Sequence, residues 1–229
     1  MKLKTFLYAV ALVATLFFAT SALAGPPLIC HAFDIGDAKS LPWISHSWTL
    51  SGTESYDTRN LAADTLSILG NDSTVLVHME TLRRAALYAQ NDEPSAKQLL
   101  LKLVARANSA TSATAAMANF DAGYFAATLD QLHWIKKDFS NPAQGLDGYA
   151  FIKKALQARP QDAQMNFAAA LVTLEGPLPD QRDYAQKAIS GSSSDPLLAR
   201  NLSTHFIGAQ SETMSDVINR NSSTKVARQ

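Results

Sequence analysis

The sequence predicts an all-α protein in which antiparallel helix hairpins stack side by side, preceded by an irregular N-terminal arm. From Asp57 to about Gly208, apolar residues recur with the helical period of 3.6 in segments of two to five turns. Short breaks rich in Gly, Asn, Asp and Pro separate these segments, as expected of tight helix connections. The 37 alanines among 229 residues allow paired helices to approach closely. Such hairpins bury a continuous core when they stack.

Residues 1–24 have the pattern of a secretory signal. Lys2 and Lys4 precede an apolar run over residues 6–18, and Ala22 and Ala24 supply small residues at a cleavage site. The run is too short to cross a bilayer, which takes roughly 20 residues. We expect export to the periplasm or beyond the cell, with a mature chain of 205 residues, a formal charge of −2 and no transmembrane segment. Lipid anchoring at Cys30 is not expected, because a lipobox requires a small residue where Ile29 stands.

Composition excludes several classes of function. Twenty basic residues balance twenty acidic ones, so no basic surface for nucleic acid is predicted. A single cysteine excludes an intramolecular disulfide and every metal framework built on cysteine pairs. The sequence predicts no cofactor and no metal site.

Residues 25–56 are expected to form the extended N-terminal arm. This segment shows neither a helical nor a strand period and contains Pro26, Pro27 and Pro42. It also carries Trp43 and Trp48, which are atypical of disordered chain. We therefore expect the arm to pack against the helices.

The helical-repeat domain is predicted over residues 57–209. Leu61, Thr65, Ile68 and Leu69 lie on one face of its first helix, which Gly70 ends. Further helices are predicted over 75–89, from Pro94 to 107, from 117 to about 139, and over 146–158, 163–175, 181–190 and 196–208, with Asp162, Asp180 and Asp195 as N-caps. Residues 210–229 contain few apolar side chains, so a flexible C-terminal tail is expected.

One junction resembles that between two tetratricopeptide repeats. In that family a helix ends with Ala-Leu, a proline follows, and the next helix begins with small residues. The matching positions are Ala155, Leu156, Pro160, Asp162, Ala169 and Ala170, while Asn166 replaces the usual aromatic residue. The arm, with Cys30-His31 and a Leu41-Pro42-Trp43 segment, is similar to the start of exported bacterial helical-repeat proteins of unassigned function. The resemblance implies a degenerate superhelix whose concave surface holds peptide segments.

The leading functional expectation is a scaffold or adaptor that binds a protein or peptide partner in the cell envelope. Inner-face polar and aromatic residues are the candidate contacts: Arg84, Tyr124, Lys154 and Asn166. The adjacent basic residues Arg83 and Arg84 are expected at the edge of a solvated helix face. No catalytic residue is assigned under this interpretation.

Two alternatives remain open at the arm. Cys30, His31 and His46 could form a thiol or metal site, provided that their side chains converge. The favoured interpretation is a small buried thiol and histidines that pair with the backbone, because free cysteine is among the most buried residue types. In the second alternative the arm is a cap that closes one end of the helical stack.

Overall fold

The computed structural model describes residues 25–44, 50–70, 73–174 and 178–207, without the side chains of residues 178, 179 and 207. This part of the chain contains nine α-helices and no strand, which confirms the all-α prediction. Residues 1–24, His46, Trp48 and the tail 210–229 lie outside it, so the predicted signal and tail are not described. No helix in the described ranges is long and apolar enough to cross a membrane.

The helices follow one another with short connections. They are α1 (Pro27–Cys30), α2 (Leu61–Ile68), α3 (Val75–Ala89), α4 (Glu93–Ser109), α5 (Ala115–Ile135), α6 (Gly148–Ala158), α7 (Ala163–Val172), α8 (Leu178–Gly191) and α9 (Pro196–Leu202). A 3-10 turn (Thr58–Asn60) precedes α2, and a π-helical turn (Ser203–Ile207) follows α9.

Aspartates begin four of these helices. The side chains of Asp92, Asp147, Asp162 and Asp195 each accept a hydrogen bond from the backbone N–H three residues later. These bonds satisfy N–H groups that have no partner within the helix. Asp180 is also predicted as an N-cap, but it lies inside the first turn of α8.

Several helix ends differ from the prediction: α7 ends at Val172 rather than at residue 175, α8 begins at Leu178 rather than at residue 181, and two further ends differ for visible reasons. The longest helix, α5, ends at Ile135 rather than near Phe139. The chain turns there because Phe139 folds back to a buried position, and its carbonyl lies 2.8 Å from His133 Nδ1. The last predicted helix, 196–208, is regular only to Leu202, and His205 then lies in the π-helical turn with its Nδ1 2.9 Å from the Asn201 carbonyl.

Helix α5 is at the centre of the packing. It contacts α3, α4, α6 and α7, and its most extensive contact is with α6; α7 and α8 form the next most extensive pair. The α5–α6 contact depends on Gly123 and Gly148, since a Cβ on Gly123 would lie only 2.5 Å from the Gly148 carbonyl oxygen. Glycine therefore allows the two backbones to touch.

The N-terminal arm packs against three helices of the body. Helix α1 contacts α3, α5 and α7. Leu28, Ile29, Phe33 and Leu41 are buried in the common core. The α-helical turn of α1 was not expected in a segment without helical period. These apolar side chains of the arm are thus part of the core, whereas Ile44 is 73% exposed.

Candidate functional site

Three charged side chains on one face of α3 form a network under the arm. Glu80 Oε1 accepts hydrogen bonds from Arg83 NH1 at 3.2 Å and from Arg84 Nε at 2.7 Å. The spacing of three and four residues places these groups side by side on a helix. Glu80 is fully buried and Arg83 is 1% exposed, which contradicts the expectation that Arg83 lies at a solvated face. The single carboxylate thus pairs with two guanidinium groups, of which Arg83 is buried and Arg84 is 18% exposed.

This network binds main-chain groups of the arm. Glu80 Oε2 accepts a hydrogen bond from Phe33 N at 3.0 Å, and Arg83 Nε donates to the Ile29 carbonyl at 2.9 Å. Both bonds are buried and join residues about fifty positions apart. Main-chain atoms are present at every residue, so these contacts hold the backbone of the arm, within the α1 turn and just after it, rather than a particular side chain.

Arg84 and its neighbours hold the second half of the arm. Arg84 NH1 donates to the Leu41 carbonyl at 2.6 Å, and the hydroxyls of Ser40 and Thr81 are 2.9 Å apart. The Trp43 ring lies against the Arg84 guanidinium, with 5.8 Å from Cζ to the ring centroid. Cation–π contact of this kind adds to the hydrogen bonds.

Helices α5 and α9 hold the other side of the arm. Leu28 N donates to Gln131 Oε1 at 2.8 Å. The side-chain amide of Asn201 pairs with the backbone of Asp34 through two bonds of 2.9 and 2.8 Å, and Arg200 Nε donates to the Asp34 carboxylate at 2.6 Å. Because the Asn201 amide pairs with both the N–H and the C=O of Asp34, this contact, like those of Glu80 and Arg83, is made to the main chain of the arm.

Phe33 is the aromatic anchor of the arm. Its ring stacks on His205 with centroids 4.5 Å apart, and meets Tyr124 and Phe167 edge-on at 6.5 and 6.1 Å. Burial lowers the pKa of His205 to about 4, and nearby Arg83 acts in the same direction, so the ring is neutral at physiological pH. A buried aromatic side chain in such a pocket is the usual form of a binding hot spot.

The four predicted contact residues do not share an exposed face. Arg84 is mostly buried against the arm, and Tyr124 is fully buried beneath Phe33, with a hydroxyl that has no hydrogen-bond partner among the described residues. Asn166 is also fully buried and donates to two main-chain carbonyls at the start of α7. Lys154 is exposed on α6. Tyr124 and Asn166 therefore do not present side chains at the surface, because they fill the space between helices.

The structure describes Cys30 and His31 of the alternative set, whereas His46 lies outside the described residues. Burial raises the pKa of the Cys30 thiol, against the opposing effect of Arg83, and so disfavours the thiolate. The ring of His31 lies 5.5 Å from that of His205. Within the described ranges, no three His, Cys, Asp or Glu side chains are placed to hold a metal ion.

A serine, a histidine and an aspartate meet at the start of α3. Ser73 Oγ lies 2.8 Å from His78 Nε2, and His78 Nδ1 lies 2.5 Å from Asp121 Oδ1. Burial raises the pKa of Asp121, against the opposing effects of His78 and Arg106. The order of contacts is that of an acyl-transfer triad, although the G-x-S-x-G turn of one large class is absent.

The same residues also cap the end of α2. Ser73 Oγ lies 2.8 Å from the Gly70 carbonyl and 3.1 Å from that of Ile68, and Arg106 NH2 donates to the Leu69 carbonyl at 2.9 Å. His78 is fully buried. The carbonyls compete for the single Ser73 proton, which favours a structural role over a nucleophilic one.

An open cleft of about 230 Å³ lies beside the first turn of the arm. Trp134, Tyr149, Asp130 and Asp147 are among its lining residues, and so is Gln131, which binds the arm at Leu28 N. Trp134 is 41% exposed. This cleft combines two carboxylates with aromatic rings at the surface of the helical body.

Sequence reasoning missed the α3 network and the cleft. Glu80 stands three and four residues before the arginine pair, a spacing that indicates helix-face ion pairing. That pattern is equally typical of solvated helices, so it gives no sign of burial. The cleft joins residues from α5 and the start of α6, and no local pattern connects them.

No protein family, curated protein or solved structure matches the chain.

Proposed function

We propose that this protein is a peptide-binding scaffold that holds an extended segment along the inner face of α3, α5 and α7, and that its own arm occupies this face. The proposal includes a tetratricopeptide-like arrangement of three hairpins, α3–α4, α5–α6 and α7–α8. Its support is that α3, α5 and α7 contact one another and also contact the arm. In such stacks the first helices of the hairpins line the concave surface.

The observation that carries the proposal is the use of buried charges to bind the arm's main chain. Glu80, Arg83 and Arg84 bind one N–H and two carbonyls of an irregular segment. Burying charged groups is costly, and a purely structural contact is served as well by apolar packing. Charged side chains that pair with peptide groups provide geometric selectivity for an extended chain.

Export and a partner in the cell envelope remain part of this proposal. They rest on the signal pattern of residues 1–24, with its two lysines and short apolar run. A fusion of residues 1–30 to a reporter that is active only outside the cytoplasm would test export. Loss of reporter activity on replacing the apolar run with polar residues is the expected control result.

Competition with the arm tests peptide binding. Phe33→Ala is made in the full mature chain to weaken the docked arm, and a fluorescent synthetic peptide of residues 25–44 is added. We expect saturable binding to Phe33→Ala that is at least about tenfold tighter than to the unmodified protein, whose own arm competes. Leu101→Ala, at a leucine that is 59% exposed on α4, is the matched control and should behave as the unmodified protein.

Two further outcomes decide this experiment. Adding Glu80→Gln to Phe33→Ala should weaken peptide binding further, because the carboxylate that accepts from the Phe33 N–H and from both arginines becomes a neutral amide with a single acceptor oxygen. Circular dichroism must show that each variant keeps its helices. No binding of the peptide to a folded Phe33→Ala variant would refute the proposal.

A second candidate is hydrolysis of an ester or amide at Ser73, and the contacts among Ser73, His78 and Asp121 are what favour it. In that reaction Ser73 Oγ bonds to the substrate carbonyl carbon as its proton passes to His78 Nε2, which then returns the proton to the leaving group. Water releases the acyl group in a second step. Covalent labelling of Ser73 by a fluorophosphonate, lost in Ser73→Ala and His78→Gln, would support this candidate; no labelling would remove it.

A further inference from the structure

We propose that the surface cleft of about 230 Å³ is a binding site for a cationic group, an ammonium or a guanidinium, held by Asp130, Asp147 and Trp134. The cleft is open while the arm is docked. The inference therefore does not depend on peptide binding beneath the arm, and either can fail without the other.

Neither of the two carboxylates is paired with a side-chain cation in the described ranges. Asp130 is partly buried and accepts a hydrogen bond from Asn141 Nδ2 at 2.6 Å, and Asp147 accepts one from Ala150 N at 2.9 Å. A cation in the cleft would give Asp130 back part of the solvation that burial has removed.

Groups near Asp130 do not supply that cation. Burial raises the pKa of Asp130, and this effect outweighs those of Asn141 and of His133. His133 lies on the same helix, with its Nδ1 2.8 Å from the Phe139 carbonyl. The site thus contains a desolvated carboxylate that favours an additional positive partner.

The aromatic lining provides a second contact for a cation. The face of Tyr149 is already used, because the Lys153 ammonium lies 4.7 Å from its ring centroid. Trp134 is the remaining exposed ring in the cleft, and indole is the strongest cation–π partner among side chains. An aromatic face beside two carboxylates distinguishes a guanidinium or ammonium from a neutral group of the same shape.

The volume limits the ligand. At about 230 Å³ the cleft is smaller than the usual pocket for a cofactor or drug-sized molecule, which begins at about 300 Å³. It suits one arginine or lysine side chain, or a small free amine. Both sources offer the same cationic chemistry, so the experiment includes one ligand of each kind.

Titration of the full mature chain with matched ligands tests the site. The probes are N-acetyl-arginine amide, its neutral citrulline counterpart, and agmatine as a free amine, with binding followed by calorimetry and by the indole NMR signal of Trp134. We expect the arginine ligand to bind with a Kd of about 1 mM or below, and the citrulline ligand at least about tenfold more weakly. Agmatine binding more tightly than the arginine amide would identify a free amine as the preferred source.

Variants locate the binding. Asp130→Asn, Asp147→Asn and Trp134→Leu should each weaken arginine binding by about 3- to 10-fold. Asp37→Asn, at an exposed aspartate of the arm, is the matched control and should leave binding unchanged. Equal affinity for citrulline, unchanged affinity in both cleft Asp variants, or no binding at all would overturn the inference, whatever the result of the arm-peptide competition.

Discussion

Replacing Glu80 with glutamine should strongly destabilise the protein. The Glu80 carboxylate is fully buried and accepts hydrogen bonds from Phe33 N, Arg83 NH1 and Arg84 Nε at 3.0, 3.2 and 2.7 Å. Glutamine has nearly the same shape but no charge, and its amide nitrogen would face a donor. The substitution therefore leaves two arginines without a compensating charge under the arm.

The size of the effect follows from the burial. At a separation of about 3 Å and an effective dielectric constant near 20, a pair of unit charges interacts by about 5 kcal/mol. Breaking a buried ion pair by removing one partner typically costs about 3–5 kcal/mol. Total stabilities are about 5–15 kcal/mol, so Glu80→Gln should remove a large part of the folding free energy. For a chain of this size the expected fall in Tm is about 6–20 °C.

Urea denaturation followed by circular dichroism measures this loss. Glu54→Gln, at an exposed glutamate of the arm, is the matched control and should change the free energy of unfolding by less than about 0.5 kcal/mol. The double variant Glu80→Gln with Arg83→Met should recover part of the loss, because it removes one uncompensated buried charge. If Glu80→Gln and Glu54→Gln have the same stability, the assignment of Glu80 as the buried counter-ion is refuted.

Other predictions concern pH, backbone packing and the α3–α5 contact. The pKa of His205 is about 4 in the folded protein and about 6.5 in the unfolded chain. As the pH falls, the unfolded chain therefore binds the proton first. The free energy of unfolding should decrease by about 3 kcal/mol between about pH 6.5 and pH 4 because of this residue. The difference in unfolding free energy between pH 7 and pH 4 should shrink in His205→Phe, and an unchanged difference would contradict this. Gly123→Ala should lower the free energy of unfolding by about 1–3 kcal/mol, because the added Cβ would clash with the Gly148 carbonyl. A Cβ at Gly70 would have no atom within 4 Å, so Gly70→Ala is the control. Asp121→Ala should lower the free energy of unfolding by about 3–5 kcal/mol, because it leaves the buried His78 ring without its carboxylate partner. If Asp121→Ala and the unmodified protein unfold at the same temperature, the buried contact between His78 and Asp121 is contradicted.

Local signals in the sequence were sufficient for most of the helices. Pro94 lies in the first turn of α4 and Asp162 and Asp195 are N-caps, as predicted, and α2 ends at Ile68, two residues before the predicted stop at Gly70. Each of these effects acts within one helical turn, so a single sequence contains it. The end of α5 was misjudged because the buried position of Phe139 depends on tertiary packing, which residue spacing does not reveal.

The candidate site was predicted much less well. Arg84 and Tyr124 were identified as polar and aromatic side chains of the helical domain, but Tyr124 is buried under Phe33 and Arg84 binds the arm. Polar residues on a helix have the same spacing whether their face is exposed to solvent or covered by another segment of the chain. Their environment is decided by the arm, which is distant in sequence.

By itself the sequence determined the helical character of the chain and the places where most helices begin and end. It also indicated that the arm packs against the helices, since Trp43 and Trp48 are atypical of disordered chain. Only the tertiary structure decided that Glu80 and Arg83 are buried, and that Trp134 and Asp147 line one cleft. The physical reason is range: capping and periodicity act over a few residues, whereas burial and charge compensation depend on which distant segments meet.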